Sequence, residues 1–323
     1  MRHPFAPLLL VLCALAALAG CSSTPPDAVE IGSIARDAEP RVLAVIAHPD
    51  DETAFAGSLY VAARHLKGRC EVLVVTNGEG GFKYSGLAES LYALNLTDEK
   101  VGRARLPKLR RYEMSQSALI LGISRLEMLG ERDHRYTTDV DEVLGPDAHA
   151  WDLARVRERL DAYLAEFRPQ FVLTLLPGED THAHHKAATL LTLEAVARLP
   201  AEERPVVLGV TVESGDEASA YPAEGLAGHP ASATVGAPLA FDRRKPLGYR
   251  GAVDWHVPVD WVIAAHKSQG TLSMMAGRGD REVFRVFAGG PADAHERTRA
   301  LLERLAAVEL PVPEYGPSAG VAP

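Results

Sequence analysis

The chain has 323 residues, 47% of them hydrophobic and 24% charged, enough apolar material to core one large globular domain. Its formal charge of −9 argues against nucleic acid or an anionic lipid surface as the main partner, while leaving room for a local basic pocket. Three cysteines, at positions 13, 21 and 70, exclude a disulfide scaffold.

After Arg2 and His3, the stretch from Leu8 to Ala19 is almost wholly apolar. It is shorter than the roughly 20 residues that a membrane-crossing helix needs. Small residues then lead into a cysteine, Leu18-Ala19-Gly20-Cys21, in a pattern that resembles a bacterial lipobox. Residues 1–20 read as a lipoprotein signal peptide, Cys21 as the lipidated first residue, and residues 21–40 as a polar tether containing Pro25 and Pro26. The expectation is a protein held to a membrane by its N-terminal lipid, on the periplasmic or extracytoplasmic face. Cys13 is then lost and Cys21 acylated, and Cys70, within an apolar strand pattern, reads as a small buried hydrophobe.

From residue 41 onward, short apolar runs alternate with helical periodicity. Strands are predicted at Val42–Ala47, Val72–Val75, Leu126–Leu129, Phe171–Leu176 and Val206–Val212. Helices are predicted at Thr53–Leu66, at Arg105–Leu121 closed by Gly122, at Asp152–Phe167, from His185 to Ala197, and at Arg297–Ala307. Residues 78–104 read as an irregular, Gly-containing loop. Residues 214–250 read as a long loop or a few short antiparallel strands, and Trp255–Val262 as a strand running into a helix near Ala264. Residues 311–323, rich in Pro, Gly and Ala, read as a disordered tail. The alternation implies an α/β fold with a mostly parallel sheet covered by helices on both faces. Such sheets collect ligands at the carboxyl ends of their strands.

Two constellations fall at that edge. His48-Pro49-Asp50-Asp51-Glu52 follows the first strand, and Glu179-Asp180-Thr181-His182-Ala183-His184-His185 follows the fourth. Helix capping accounts for one or two of the acids and for Pro49. It does not account for an imidazole and three carboxylates crowded at one strand end, where like charges are costly without a positive partner. A metal ion is the natural counter-charge. Imidazoles that open a helix are favoured in the neutral, metal-binding form. His48, Asp51 and one of His182, His184 or His185 would make a three-ligand site with a position left for water, whose pKa a metal lowers toward about 7. Asp50 is then the spare carboxylate that takes a proton, and a second histidine would stabilise the oxyanion or protonate the leaving amine.

Ala47-His48-Pro49-Asp50-Asp51-Glu52 resembles the signature of the PIG-L/LmbE-like deacetylases, zinc enzymes that hydrolyse N-acetyl groups on glucosamine-containing conjugates. Further segments resemble that family in the same order: Thr76-Asn77-Gly78-Glu79-Gly80-Gly81, Arg110-Arg111-Tyr112-Glu113, Leu129-Gly130 with Asp133, His182-Ala183-His184-His185, and His266-Lys267-Ser268-Gln269. The resemblance implies a Rossmann-like arrangement, a deacetylase domain over residues 41–310, and a Zn²⁺ cofactor, with Fe²⁺ or Co²⁺ as alternatives. It implies that His48, Asp51 and His185 bind the metal, that Asp50 is the general base, and that His182 is the acid or oxyanion stabiliser. Arg110 and Asp133 would contact sugar hydroxyls; the plainer alternatives are an Arg110–Glu113 ion pair on one helix face and a loop cap at Asp133. The family's Pro-Asp between the two histidines is Ala183-His184 here, which puts the orientation of His182 in question. The expected substrate is an amino-sugar glycoconjugate. The rival expectations are a metal amidohydrolase or esterase on a non-sugar substrate and a non-catalytic glycan-binding lipoprotein.

Overall fold

The computed structural model describes residues 28–30, 40–247, 251, 253–275 and 279–310. The expected signal peptide 1–20, Cys21, most of the expected tether and the tail 311–323 lie outside the described residues.

Eight strands form one sheet: β1 (Ala28–Glu30), β2 (Arg41–Ile46), β3 (Arg69–Thr76), β4 (Arg125–Glu131), β5 (Phe171–Leu175), β6 (Val206–Glu213), β7 (Thr234–Asp242) and β8 (Arg281–Phe287). Their order is β1-β4-β3-β2-β5-β6-β8-β7. The five strands from β4 to β6 are mutually parallel, whereas β1, β8 and β7 pair antiparallel. The helices are α1 (Ala56–Tyr60), α2 (Glu89–Tyr92), α3 (Glu99–Leu121), α4 (Asp141–Leu144), α5 (Leu153–Phe167), α6 (Ala183–Arg198), α7 (His256–Ala265) and α8 (Ala294–Ala306).

The strands read as continuous apolar runs because both sheet faces are covered. Side chains alternate between faces. Val42, Ala44 and Ile46 join a core with Leu59, Met114, Val262 and Leu302, on the side of α1, α3, α7 and α8. Leu43 and Val45 join Leu160, Leu164 and Leu191 of α5 and α6. Leu43 is fully buried, so Leu43→Ala would open a cavity there at a cost of about 2–5 kcal/mol. Cys70 of β3 is buried in the first of these cores.

Several elements differ from expectation. Ala28–Glu30, assigned to the tether, pairs with β4 as a short edge strand. The expected helix over 53–66 is a run of 3₁₀, α and π turns. Helix α3 starts six residues early, because Asp98 caps it by accepting from Val101 N and Leu106 is fully buried, outweighing the helix-breaking character of Gly102 and Pro107. The Trp255–Val262 run, rich in branched residues, is helix α7, with Pro258 in the first turn, where its missing N–H costs no helical hydrogen bond. Strand β8 was not anticipated at all; it inserts between β6 and β7.

Candidate active site

From β2 the sheet grows in two directions, toward β3 on one side and β5 on the other. The loops leaving β2 and β5 therefore diverge and leave a crevice at their carboxyl ends, the switch point at which ligands bind in open α/β sheets. Both charged constellations open into it. The cleft is lined by His48, Asp50, Asp51, His182 and His185, and also by the buried Phe82 and the exposed Tyr84 and Tyr136.

The loop after β2 is folded around its own acids. Asp51 Oδ2 accepts from the backbone N–H groups of Ala47 and His48, at 3.0 and 2.8 Å. Its Oδ1 is left facing His185 Nε2, at 3.1 Å. His48 Nδ1 lies 3.0 Å from the same His185 Nε2 and 3.7 Å from Asp51 Oδ2. Three donor atoms from two loops thus converge. Burial opposes the charge on Asp51, but His185 and His48 outweigh it and hold its carboxyl well below the usual range. His48 is drawn down by burial and raised, on balance, by Asp133 and Asp51.

Asp50 sits at φ 144° and ψ −14°, a backbone conformation that costs a non-glycine residue about 1–3 kcal/mol. Arg110, almost wholly buried, holds it there. One guanidinium nitrogen lies 2.9 Å from Asp50 Oδ1 and donates to Pro49 O at 2.5 Å; another donates to Gly78 O at 2.5 Å. A Cβ at Gly78 would collide with this guanidinium, which accounts for glycine in the turn after β3. Burial raises the Asp50 carboxyl above its usual range, and Arg110 only partly offsets this.

Arg110 does not pair with Glu113, as the plainer alternative had it. Glu113 instead accepts from Ser268 N and Oγ, at 2.8 and 2.6 Å, and from the Tyr92 hydroxyl at 2.7 Å. Glu52, fully buried, accepts from His266 Nε2 at 2.5 Å and from Ser117 Oγ. The late His-Lys-Ser-Gln segment and α3 are thereby bound to the base of the His48 loop.

The second loop opens α6. His182 is its N-cap, its Nδ1 accepting from His184 N at 2.9 Å. With Nδ1 an acceptor, the neutral ring carries its proton on Nε2. Burial, together with the neighbouring His48, His184 and His185, pulls the His182 pKa down to about 2. His184, fully buried, does not point at Asp51. Its Nδ1 lies 3.0 Å from His48 Nε2 and 3.4 Å from Asp133 Oδ1, and burial lowers its pKa to about 4. Asp133 accepts from Gly80 N at 3.0 Å, where any side chain at position 80 would strike the carboxylate. Its carboxyl lies below the usual range, because His48 and His184 outweigh the effect of burial. A second group of close donors, His48, Asp133, His182 and His184, thus lies on the other side of the His48 ring.

His134 was not singled out from the sequence, yet its Nδ1 lies 2.8 Å from His184 Nε2. The available signal was its position beside Asp133, in the loop after β4, at the same sheet edge.

Residues 43–196, which carry every histidine and aspartate placed in the cleft, match the family model described as PIG-L: GlcNAc-PI de-N-acetylase. The probable N-acetyl-alpha-D-glucosaminyl L-malate deacetylase 2 of Bacillus cereus is 27% identical over 180 residues, 56% of this chain and 71% of the relative. The 1D-myo-inositol 2-acetamido-2-deoxy-alpha-D-glucopyranoside deacetylase 1 of Saccharopolyspora erythraea is 32% identical over 179 residues, 50% of this chain and 55% of the relative. Among solved structures, the N,N'-diacetylchitobiose deacetylase from Pyrococcus horikoshii matches with a TM-score of 0.44 and 19% identity, covering 78% of this chain and 85% of that one.

Proposed function

We propose that the protein is a metal-dependent hydrolase that removes an N-acetyl group from an N-acetylglucosamine-type conjugate. The observation that carries this reading is the convergence of His48, Asp51 and His185 beside a second carboxylate outside that set, Asp50, at the switch point of the sheet, within the residues that match the PIG-L model. The relatives' names, all deacetylases of N-acetylated amino sugars, support the substrate class.

The donor set fits a catalytic zinc. Two imidazoles and a carboxylate supply three ligands, and the cleft leaves a side open. His185 Nε2 stands 3.0 Å from His48 Nδ1 and 3.1 Å from Asp51 Oδ1, close to the roughly 3.3 Å edge of a tetrahedron with bonds of about 2 Å. A His-carboxylate-His set also accepts Fe²⁺ or Co²⁺. When bound, the metal supplies Lewis acidity, which activates water and polarises the acyl carbonyl.

The remaining work belongs to the side chains. Asp50, its carboxyl raised by burial and its position fixed by Arg110, takes the proton of the attacking water and passes it to the leaving amine. His182, uncharged and with Nε2–H free of its capping duty, donates to the oxygen on which negative charge develops. Asp51 is kept in its ligand orientation by the two backbone N–H groups on Oδ2. Arg110 is engaged with Asp50 and two carbonyls, and Asp133 with Gly80 and His184. We therefore assign sugar recognition to the mouth, where the exposed rings of Tyr84 and Tyr136 offer faces for a pyranose. We further propose that Cys21 is lipidated and holds the domain at the extracytoplasmic face of a membrane; the lipobox-like Leu18-Ala19-Gly20-Cys21 supports this.

The test is acetate release from a panel of N-acetylglucosamine conjugates by the full chain, stripped of metal and then reloaded with zinc, beside Asp50→Asn. Zinc-dependent release that the variant lacks is the expected result. Tight zinc binding with no release from any sugar would move the assignment to another amide or ester, or to a binding protein.

A further inference from the structure

His48 has two ring nitrogens, and both are occupied. Nδ1 faces Asp51 and His185, while Nε2 lies 3.0 Å from His184 Nδ1 and 3.9 Å from Asp133 Oδ2. From there the contacts run outward in single file. His184 Nε2 meets His134 Nδ1 at 2.8 Å, and His134 Nε2 meets Glu142 Oε2 at 3.4 Å. Glu142, in α4, takes two further bonds from Arg135, at 2.9 and 2.7 Å, and one from Thr137 at 2.9 Å. Surrounded by donors, it is a carboxylate that can only accept.

A neutral imidazole has one N–H and one lone pair, so each ring in this chain passes the polarity of one contact to the next. Glu142 accepts, so His134 donates from Nε2 and must accept at Nδ1. His184 then donates from Nε2 and accepts at Nδ1, and His48 donates from Nε2. That leaves His48 Nδ1 with a bare lone pair, aimed at Asp51 and His185. Reversing the direction would let His184 Nδ1 donate to Asp133 Oδ1, 3.4 Å away. The same reversal would set the lone pair of His134 Nε2 against the Glu142 carboxylate and place a proton on His48 Nδ1, between His185 and Asp51.

We propose that Glu142, acting through His134 and His184, fixes His48 in the tautomer whose Nδ1 is free to bind a metal. This rests on the reading of His48, Asp51 and His185 as the ligand set. Metal-bound histidines commonly give their second N–H to a carboxylate or carbonyl. Here that role is delegated along two further rings to a carboxylate near the surface, and His184 occupies the position at which the sequence departs from the family pattern. His134, His184 and Glu142 are positioning residues. They touch neither substrate nor reacting atoms.

The experiment uses the full chain with ¹⁵N-labelled histidine, free of metal, with ring resonances assigned through single-histidine variants. Nitrogen shifts should report Nε2–H tautomers for His48, His184 and His134. Two variants then separate the relay from simple packing. His134→Asn keeps an acceptor oxygen where Nδ1 stood, and His134→Leu removes it. Zinc affinity measured by chelator competition should fall about 10–100-fold in the leucine variant and stay within a few-fold of the parent in the asparagine variant, the usual scale for losing an outer partner of a ligand. His48 should show a mixture of tautomers only with leucine. An Nδ1–H tautomer at His48 in the parent chain, equal affinities in the two variants, or a second equivalent of zinc lost with His184→Ala would each overturn the relay. His185→Ala is the separate control. If it keeps the parent's zinc affinity, the ligand set is wrong, and the tautomer spectrum still decides the relay on its own.

Discussion

The two ends of the parallel strands are both crowded with charge, and they neutralise it differently. At the amino ends, every buried acid has a guanidinium of its own. Glu71 pairs with Arg69 at 2.7 Å; Glu127 pairs with Arg125 at 2.9 Å and also with Arg159; and Glu166 meets both Arg125 and Arg159, at 3.1 and 3.2 Å. Arg125 and Arg159 also lie over the ring of Tyr163. At the carboxyl ends, Arg110 serves Asp50 and Arg155 serves Glu131, whereas among the described residues neither Asp51 nor Asp133 has an ion pair with Lys or Arg. Their partners are imidazoles and backbone N–H groups. One end is closed by the chain's own cations. The other is built from groups that gain most from a cation brought in from outside.

That contrast can be broken in four ways, from the largest expected effect to the smallest. Asp51→Asn should weaken zinc retention more than about 100-fold, beyond the loss seen for outer partners, while leaving the far-UV circular dichroism unchanged. Metal analysis after dialysis reads the result, and zinc retained at parent levels would remove Asp51 from the ligand set. Next, zinc at a hundred times its Kd should stabilise the parent by about 2.7 kcal/mol, which corresponds to a rise in Tm of about 5–10 °C for a domain of this size. A melt of Asp51→Asn should show no such rise. At the opposite end, Arg159→Ala should cost about 2 kcal/mol, because Glu127 is left buried with one partner instead of two. Its Tm should drop while the increment from zinc stays the same; a changed increment would mean that the two ends are coupled. The smallest effect is expected at the mouth. Tyr136→Ala should raise KM for an N-acetylglucosamine conjugate about 2–5-fold with kcat little altered, a loss of under about 1 kcal/mol. Unaltered KM would place the sugar elsewhere.

Much of this could be read from the sequence, for identifiable physical reasons. A strand buried on both faces writes itself as a short branched run, so β2 through β6 appear within a few residues of their observed bounds. Parallel strands joined by helices bring their following loops to one edge, so His48 and His185 are expected in one crevice although 137 positions separate them. What stayed hidden depends on pairing and on three-dimensional partners. Arg281–Phe287 mixes Arg281, Glu282 and Arg285 with branched and aromatic residues in no clean alternation, and nothing local says that it lies against β6. Val257, Val259 and Val262 favour a strand by propensity, and packing against α3 and α1 makes them helix. Arg110 resembled a sugar ligand or a partner for Glu113, and only the fold shows it reaching Asp50, Pro49 and Gly78. His134 and Glu142 are an isolated histidine and one acid among many until the loop after β4 folds over His184.

The placement of β8 bears on the order in which the chain is made. Strand β6 emerges from the ribosome with one side ready to pair with β5. Its other side waits for β8, about seventy residues downstream. At about 5–20 residues per second, that flank stays open for several seconds of synthesis. Five of its eight residues are buried in the finished protein, so the interval exposes an apolar template to any neighbouring strand. When β8 arrives it brings β7 with it as the new border, mostly exposed and broken in register between Val235 and Leu239. The segment beyond residue 213 thus closes the open flank of β6, which stays uncovered until Arg281 onward has been made.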